Sequence, residues 1–279
     1  MTRSAGHAVM IGSQYTISSR EFSDLMSPSD ARPALVLAPG MLSDEGVWAP
    51  QVAAFAGEMD VVVARYSEAR TLTGMAQALL DQAPARFALA GHSMGGRVAL
   101  EAARLAPERL TGLCLISSDT LPKPEGEAGA AETRGRHGLL ALAREQGMVA
   151  LAARFTPVLL PPEHLADEAL AGAVRAMVAR QDIAAFERQI EAGEGRPDHT
   201  PVLAGLKGPA LLICGAQDSF GRAPLQAAMA ALLPGAPVLL IDPCGHLPML
   251  EAPDTVNHAM RGWLAEAARE GLRTPAAIC

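Results

Sequence analysis

Ser93 stands in AGHSMGG at residues 90–96, where the apolar run RFALA gives way to a small-residue, helix-favouring run, MGGRVALEAARLA. A serine hydroxyl is a weak nucleophile at neutral pH. It attacks a carbonyl when a base takes its proton and a further group holds that base in place. Glycines on both sides permit a sharp strand-to-helix turn and close approach of neighbouring backbone, leaving the hydroxyl exposed above a sheet. The chemistry this pattern fits is nucleophilic acyl transfer; an ordinary glycine turn is the plain alternative.

The base must come from elsewhere in the chain. Of seven histidines, His246 is the best placed, in LLIDPCGHLPMLEAP, where a strand, a Gly/Pro loop and a helix start follow one another. His7, His137, His164, His199 and His258 fall in the irregular N-terminus, a central helical stretch and the final helix, and suit solvated or packing roles. His92 adjoins the nucleophile on the same turn, so its side chain points elsewhere and packs. An orienting acid should end an earlier strand, and ALLICGAQDSF supplies Asp218. Asp119, after LCLISS, is its rival at another strand end, and a helix N-cap is the ordinary alternative for Asp218.

These residues need a scaffold of strands and helices. Short apolar runs occur at 34–38, 60–66, 87–91, 110–118, 210–215 and 237–242, separated by helix-length segments. Short, mainly apolar runs of this length, separated by helical patterns, mark strands covered on both faces of a parallel sheet. Helices are expected from Thr73 to Gln82, Met94 to Leu105, Ala223 to Leu232 and Pro253 to Ala268. The sequence therefore predicts an α/β fold, a doubly wound, mainly parallel sheet. Between Ser118 and Ala210 the rhythm stops and only helical patterns remain, GRHGLLALAREQGMVALAARF and DEALAGAVRAMVARQDIAAFERQI among them. A structureless loop of that length is improbable, so this stretch reads as a helical insertion. Core residues 1–121 and 208–279 then flank a helical cap at 122–207, while the first thirty residues suggest one strand or a hairpin.

With 279 residues the chain can bury a large core, and its net charge of −7, without a basic arm, argues against nucleic acid. No window offers a secretory h-region or a membrane span, which leads to the expectation of a cytoplasmic protein without membrane insertion. Cys114 and Cys214 sit in apolar runs, Cys244 in a loop and Cys279 at the end of the sequence, and their spacing suggests neither a disulfide framework nor a metal site. GHSMGG lacks the G-x-G-x-x-G order of a dinucleotide site, so neither an organic cofactor nor a metal is expected. Oligomeric state leaves no mark in the sequence.

Together AGHSMGG, ICGAQD and GHLPMLEAP resemble the α/β-hydrolase fold superfamily, specifically its serine hydrolases with a helical cap. The order Ser93, Asp218, His246 matches the order of nucleophile, acid and base in that fold. The resemblance implies a catalytic triad on a nucleophile elbow, with an oxyanion hole built from the backbone N–H of Met94 and one from the loop APGMLSDEGVWAP, where Met41 is the candidate. Both methionines also suit simple wall positions. Pro39-Gly40 stands where many relatives carry His-Gly; main-chain donors tolerate that change.

Serine in place of aspartate disfavours epoxide hydrolysis and dehalogenation. The expected function is hydrolysis of a small or medium carboxylic ester through an acyl-enzyme. Carbon–carbon bond hydrolysis, thioester hydrolysis, perhydrolysis and other acyl-transfer or lyase reactions use the same groups, and a non-catalytic small-molecule binding protein is a further alternative. Apolar insertion residues such as Leu139, Leu140, Met148, Phe155, Leu159, Leu160, Met177 and Phe186 are expected to pack mainly among the helices, with some lining the space above Ser93.

Overall fold

A computed structural model describes residues 7–11, 21, 32–66, 68–220 and 223–273. Its seven strands are β1 (His7–Ile11), β2 (Ala34–Ala38), β3 (Asp60–Val63), β4 (Phe87–His92), β5 (Leu110–Ile116), β6 (Ala210–Gly215) and β7 (Val238–Asp242). They form one sheet in the order β1-β7-β6-β5-β4-β2-β3. All neighbours are parallel except β1, which runs antiparallel to β7 at the edge. That strand is the described part of the expected N-terminal strand or hairpin; the rest of the hairpin expectation lies outside the described residues.

Alternation along the buried strands builds two core layers. Leu35, Leu37, Ile213 and Ile241 face one layer, packed with Val256, Met260, Trp263 and Leu264. Val36, Leu89, Leu113, Leu115 and Leu212 face the other, with Met75, Leu79, Val98 and Met229. Each such side chain contributes about 1.5–3 kcal/mol by leaving water, which is why a strand apolar at every position is stable only between two helical layers. Helices α1 (Ala49–Phe55) and α11 (Pro253–Arg273) supply the first layer; α2 (Leu72–Gln82), α3 (Met94–Leu105) and α9 (Ala223–Leu232) supply the second.

Two strands end before their apolar runs do. β5 stops at Ile116 instead of running to 118 because Ser117 takes φ 49°, outside any strand conformation. β3 stops at Val63 instead of Tyr66, and the Tyr66 hydroxyl reaches across to donate to the Pro39 carbonyl at 2.8 Å.

Between β5 and β6 the chain is helical, with no strand: α4 (Gly126–Leu159), α5 (Pro162–Leu165), α6 (Glu168–Ala179), α7 (Ile183–Glu194) and α8 (Thr200–Ala204). The first predicted helical pattern is interrupted at Gly147, whose φ 84° and ψ 168° break α4 into two arms. The second is divided because Asp182 caps α7 through its carboxylate, as Asp167 caps α6. Leu140, Leu151, Val178, Phe186 and Ile190 form a small apolar cluster of their own, joined by Leu42 from the loop after β2. Helix α10 (Pro248–Glu251) completes the set after β7.

Candidate active site

Ser93 is the hinge residue between β4 and α3, at φ 54° and ψ −118°. This is a strained conformation for a residue with a Cβ, costing of order 1–3 kcal/mol. Its surroundings fix it: the Ser93 N–H donates to the Ile116 carbonyl at 2.9 Å, and the Ser118 hydroxyl donates to the Ser93 carbonyl at 2.8 Å. The flanking glycines serve a different need. None of them takes positive φ; a Cβ on Gly95 would lie 2.5 Å from the Pro39 carbonyl oxygen, and one on Gly91 would lie 2.6 Å from the Gly96 Cα. They let three backbone segments converge beneath the serine, which itself carries the strained turn.

His246 sits in the loop after β7, and its N–H donates to the Leu159 carbonyl of the insertion at 2.8 Å. Its Nε2 lies 3.0 Å from Ser93 Oγ, and its Nδ1 lies 2.9 Å from Asp218 Oδ1. A carboxylate accepts only, so the imidazole proton belongs on Nδ1 and the Nε2 lone pair faces the serine O–H. Asp218 follows β6; Oδ1 also accepts the Phe220 N–H at 2.7 Å, and Oδ2 lies 3.7 Å from the Cys214 thiol. The His246 and Asp218 side chains are almost wholly buried. Phe220 stands over the imidazole with ring centroids 4.8 Å apart.

The rival acid is committed elsewhere. Asp119 Oδ2 pairs with Arg97 at 2.6 Å, and Oδ1 accepts the Leu121 N–H at 2.9 Å. His199 is buried and binds Glu101 at 3.0 Å.

Two residues whose roles the sequence did not disclose hold the His246 loop. His92 does pack, buried against the His246 ring, but its Nε2–H also donates to the His246 carbonyl at 2.8 Å. Burial, with the neighbouring imidazole acting in the same direction, pushes its pKa down to about 3, so His92 is a neutral tether. Glu251, at the end of α10, accepts the Gly245 N–H on Oε2 and the Leu247 N–H on Oε1, each at 2.8 Å, and so grips the backbone on both sides of His246. His164 of α5 binds the same Oε2 at 2.6 Å.

Met41, in the loop after β2, and Met94, the first residue of α3, both line the cavity that exposes Ser93 and His246. The loop is pinned by the Leu42 N–H, which donates to Gln189 Oε1 of α7 at 3.0 Å. At Gly40 a Cβ would lie 2.8 Å from His92 Nδ1, so glycine is needed there for proximity. The cavity measures about 930 Å³, and the insertion residues Leu139, Phe155, Leu159 and Phe186 contribute to its wall. Leu140 instead packs inside the insertion, and Leu160 and Met177 pack into the main core.

No helix among the described residues is long and apolar enough to cross a membrane. The chain is 35% identical over 201 residues to the dihydrolipoyllysine-residue acetyltransferase component of the acetoin cleaving system of Pseudomonas putida, covering 67% of this chain and 48% of that protein. It is 27% identical over 187 residues to a 2-hydroxy-6-oxononadienedioate/2-hydroxy-6-oxononatrienedioate hydrolase of Pseudomonas sp, covering 64% and 63%. The chain thus spans about half and just under two thirds of these curated relatives. Among solved structures, a thermophilic esterase from Thermogutta terrifontis shares the fold at a TM-score of 0.74 and 22% identity, over 94% of each chain. A family model described as "Alpha/beta hydrolase family" matches residues 19–259, most of the chain and both sides of the insertion. The chain belongs to the alpha/beta hydrolase family.

Proposed function

We propose that this hydrolase cleaves a small or medium carboxylic ester through an acyl-enzyme on Ser93. The observation that carries the reading is the continuous hydrogen-bonded chain from Ser93 Oγ through His246 to Asp218, at 3.0 and 2.9 Å, opening on one cavity. Ser93 Oγ attacks the acyl carbon while its proton passes to His246 Nε2, and Asp218 stabilises the imidazolium that forms. Negative charge gathers on the former carbonyl oxygen, for which the Met41 and Met94 N–H groups are the donors; one such donor contributes about 3 kcal/mol. His246 returns the proton to the departing alcohol. Water, deprotonated by the same imidazole, then attacks the acyl-enzyme, releasing the acid and restoring Ser93.

Residues 122–207 act as a cap in this reading. Leu159 of the insertion holds the His246 backbone, and Phe155 and Phe186 bound the space above Ser93, so an enclosed substrate of limited length is favoured over a long triglyceride. A second reading, carbon–carbon bond hydrolysis of a diketone, is favoured by the 27% identity to a hydrolase named for 2-hydroxy-6-oxononadienedioate. Steady-state rates on esters of increasing acyl length, with a thioester and a diketone alongside, decide between them. Highest kcat/KM on a short or medium ester supports the first reading; selective diketone cleavage replaces it with the second.

A further inference from the structure

The lining of the Ser93 cavity is charged in part. It includes Arg97, Arg136, Arg154 and Arg196 and the carboxylates of Asp119 and Glu132. Arg97 pairs with Asp119 at 2.6 Å. Glu132 is shared: Arg196 takes both of its oxygens, at 2.6 and 2.7 Å, and Arg136 lies 2.7 Å from one of them. Arg154 is exposed at the cavity and has no ion pair or hydrogen bond among the described residues. Four cations against two carboxylates leave an excess of two positive charges, in a chain whose net charge is −7.

Surface pairing does not explain this grouping. Arg134, Arg144 and Arg175, also of the insertion, form exposed pairs outside the cavity, with Glu127, Glu187 and Glu168. On the cavity wall the Arg196 side chain is only 4% exposed and Arg97 only 14%. Burial and then the charge of nearby Arg196, opposed by the adjacent carboxylates, hold Arg97 and Arg136 below the usual guanidinium range, so the cations there crowd one another. Gly193 makes room for the cluster, since a Cβ there would run into the Arg136 guanidinium. A surplus of guanidinium groups, three of them largely withdrawn from water, favours an anion, and the planar fork matches a carboxylate.

The placement relative to the reacting serine follows from the helix. Arg97 stands four residues after Ser93, about 6 Å of helix rise along α3, and lines the same cavity as Ser93, Arg136 and Arg196. We infer that the substrate carries a carboxylate, separated by a short carbon chain from the bond that is cleaved, and that the Arg97–Arg136–Arg196 wall with Arg154 receives it. This inference rests on the acyl-transfer reading of Ser93 and narrows its substrate class.

The test compares the monomethyl ester of glutaric acid with its dimethyl ester, which differ by one charge at nearly constant shape. Wild-type protein should favour the anionic ester in kcat/KM by at least about tenfold, the scale of one charge-assisted hydrogen-bonded contact. That preference should shrink as salt is raised. Arg154→Gln, which disturbs no pair, and Arg136→Gln, which leaves Glu132 still held by Arg196, should each lower the anionic-to-neutral ratio. A wild-type ratio near one, or a ratio unchanged in both variants, overturns the inference. If no ester is cleaved and a phosphonate leaves Ser93 unlabelled, the acyl-transfer reading itself fails. Calorimetry of glutarate against Ser93→Ala then decides the subsite alone: saturable binding weakened by Arg136→Gln upholds it, and absence of binding overturns it.

Discussion

The imidazole of His92 donates a hydrogen bond from Nε2 to the main-chain carbonyl of His246 at 2.8 Å, tying the strand end that precedes Ser93 to the loop after β7. The two histidines come from β4 and from the loop after β7, elements separated in the sheet by β5 and β6. Their bond holds the two elements together where His246 meets Ser93.

Replacing His92 with alanine should therefore lower stability by about 1–3 kcal/mol and reduce kcat more than it raises KM. The pH sign is defined. A folded-state value near 3, below the unfolded histidine value of about 6.5, means the unfolded chain binds the extra proton first. The stability contributed by neutral His92 is complete above about pH 6.5 and is lost as pH falls from there towards 3. Thermal melts across that range should show a shallower acid loss in His92→Gln than in wild type.

His164 has the opposite sign. Its hydrogen bond to Glu251 raises its pKa above the ordinary histidine value, partly offset by burial and reinforced by Glu163 and Asp167. Its contribution is fully present below the unfolded value and disappears as pH rises through the folded one. The stability gap between wild type and His164→Gln should accordingly be widest in mild acid and close on the alkaline side, as read by paired melts.

Glu251→Gln removes one of the two oxygens that hold the Gly245 and Leu247 N–H groups. Leaving one buried donor without its acceptor should cost about 1–3 kcal/mol and lower kcat with little change in KM, since the loop it grips carries the proposed base His246. Steady-state kinetics and a denaturant titration on the same variant check both.

Asp218→Asn should lower kcat by up to about 10⁴-fold, because an amide no longer fixes the proton on His246 Nδ1. Asp119→Asn should act mainly on stability and substrate binding through its pair with Arg97. Collapse of kcat in Asp119→Asn with near wild-type turnover in Asp218→Asn would reverse the assignment.

The sheet is legible in the sequence because strands buried on both faces have no polar positions to blur them, and the predicted runs coincide with β2, β4 and β6 closely. Strand ends are less so: the conformation of Ser117 that stops β5 is imposed by its neighbours, its N–H donating to the Ile213 carbonyl at 2.8 Å. The break at Gly147 is hidden because an isolated glycine inside a helical pattern is often tolerated. Ser93, Asp218 and His246 are readable since each lies in a local strand-loop context. The His92 tether and the meeting of Arg97, Arg136 and Arg196 depend on tertiary proximity, and no short window of sequence contains them; the grip of Glu251 is local, four and six residues from its partners, but a turn carboxylate of this kind has no distinctive sequence pattern.

The central claim, that Ser93 is a nucleophile activated by His246, is tested most directly by intact-mass spectrometry after reaction with a fluorophosphonate. One adduct per chain is predicted, mapping to the peptide that contains Ser93, absent from Ser93→Ala and formed far more slowly in His246→Ala. Folded wild-type protein that takes up no label, or equal labelling of Ser93→Ala, would contradict the account.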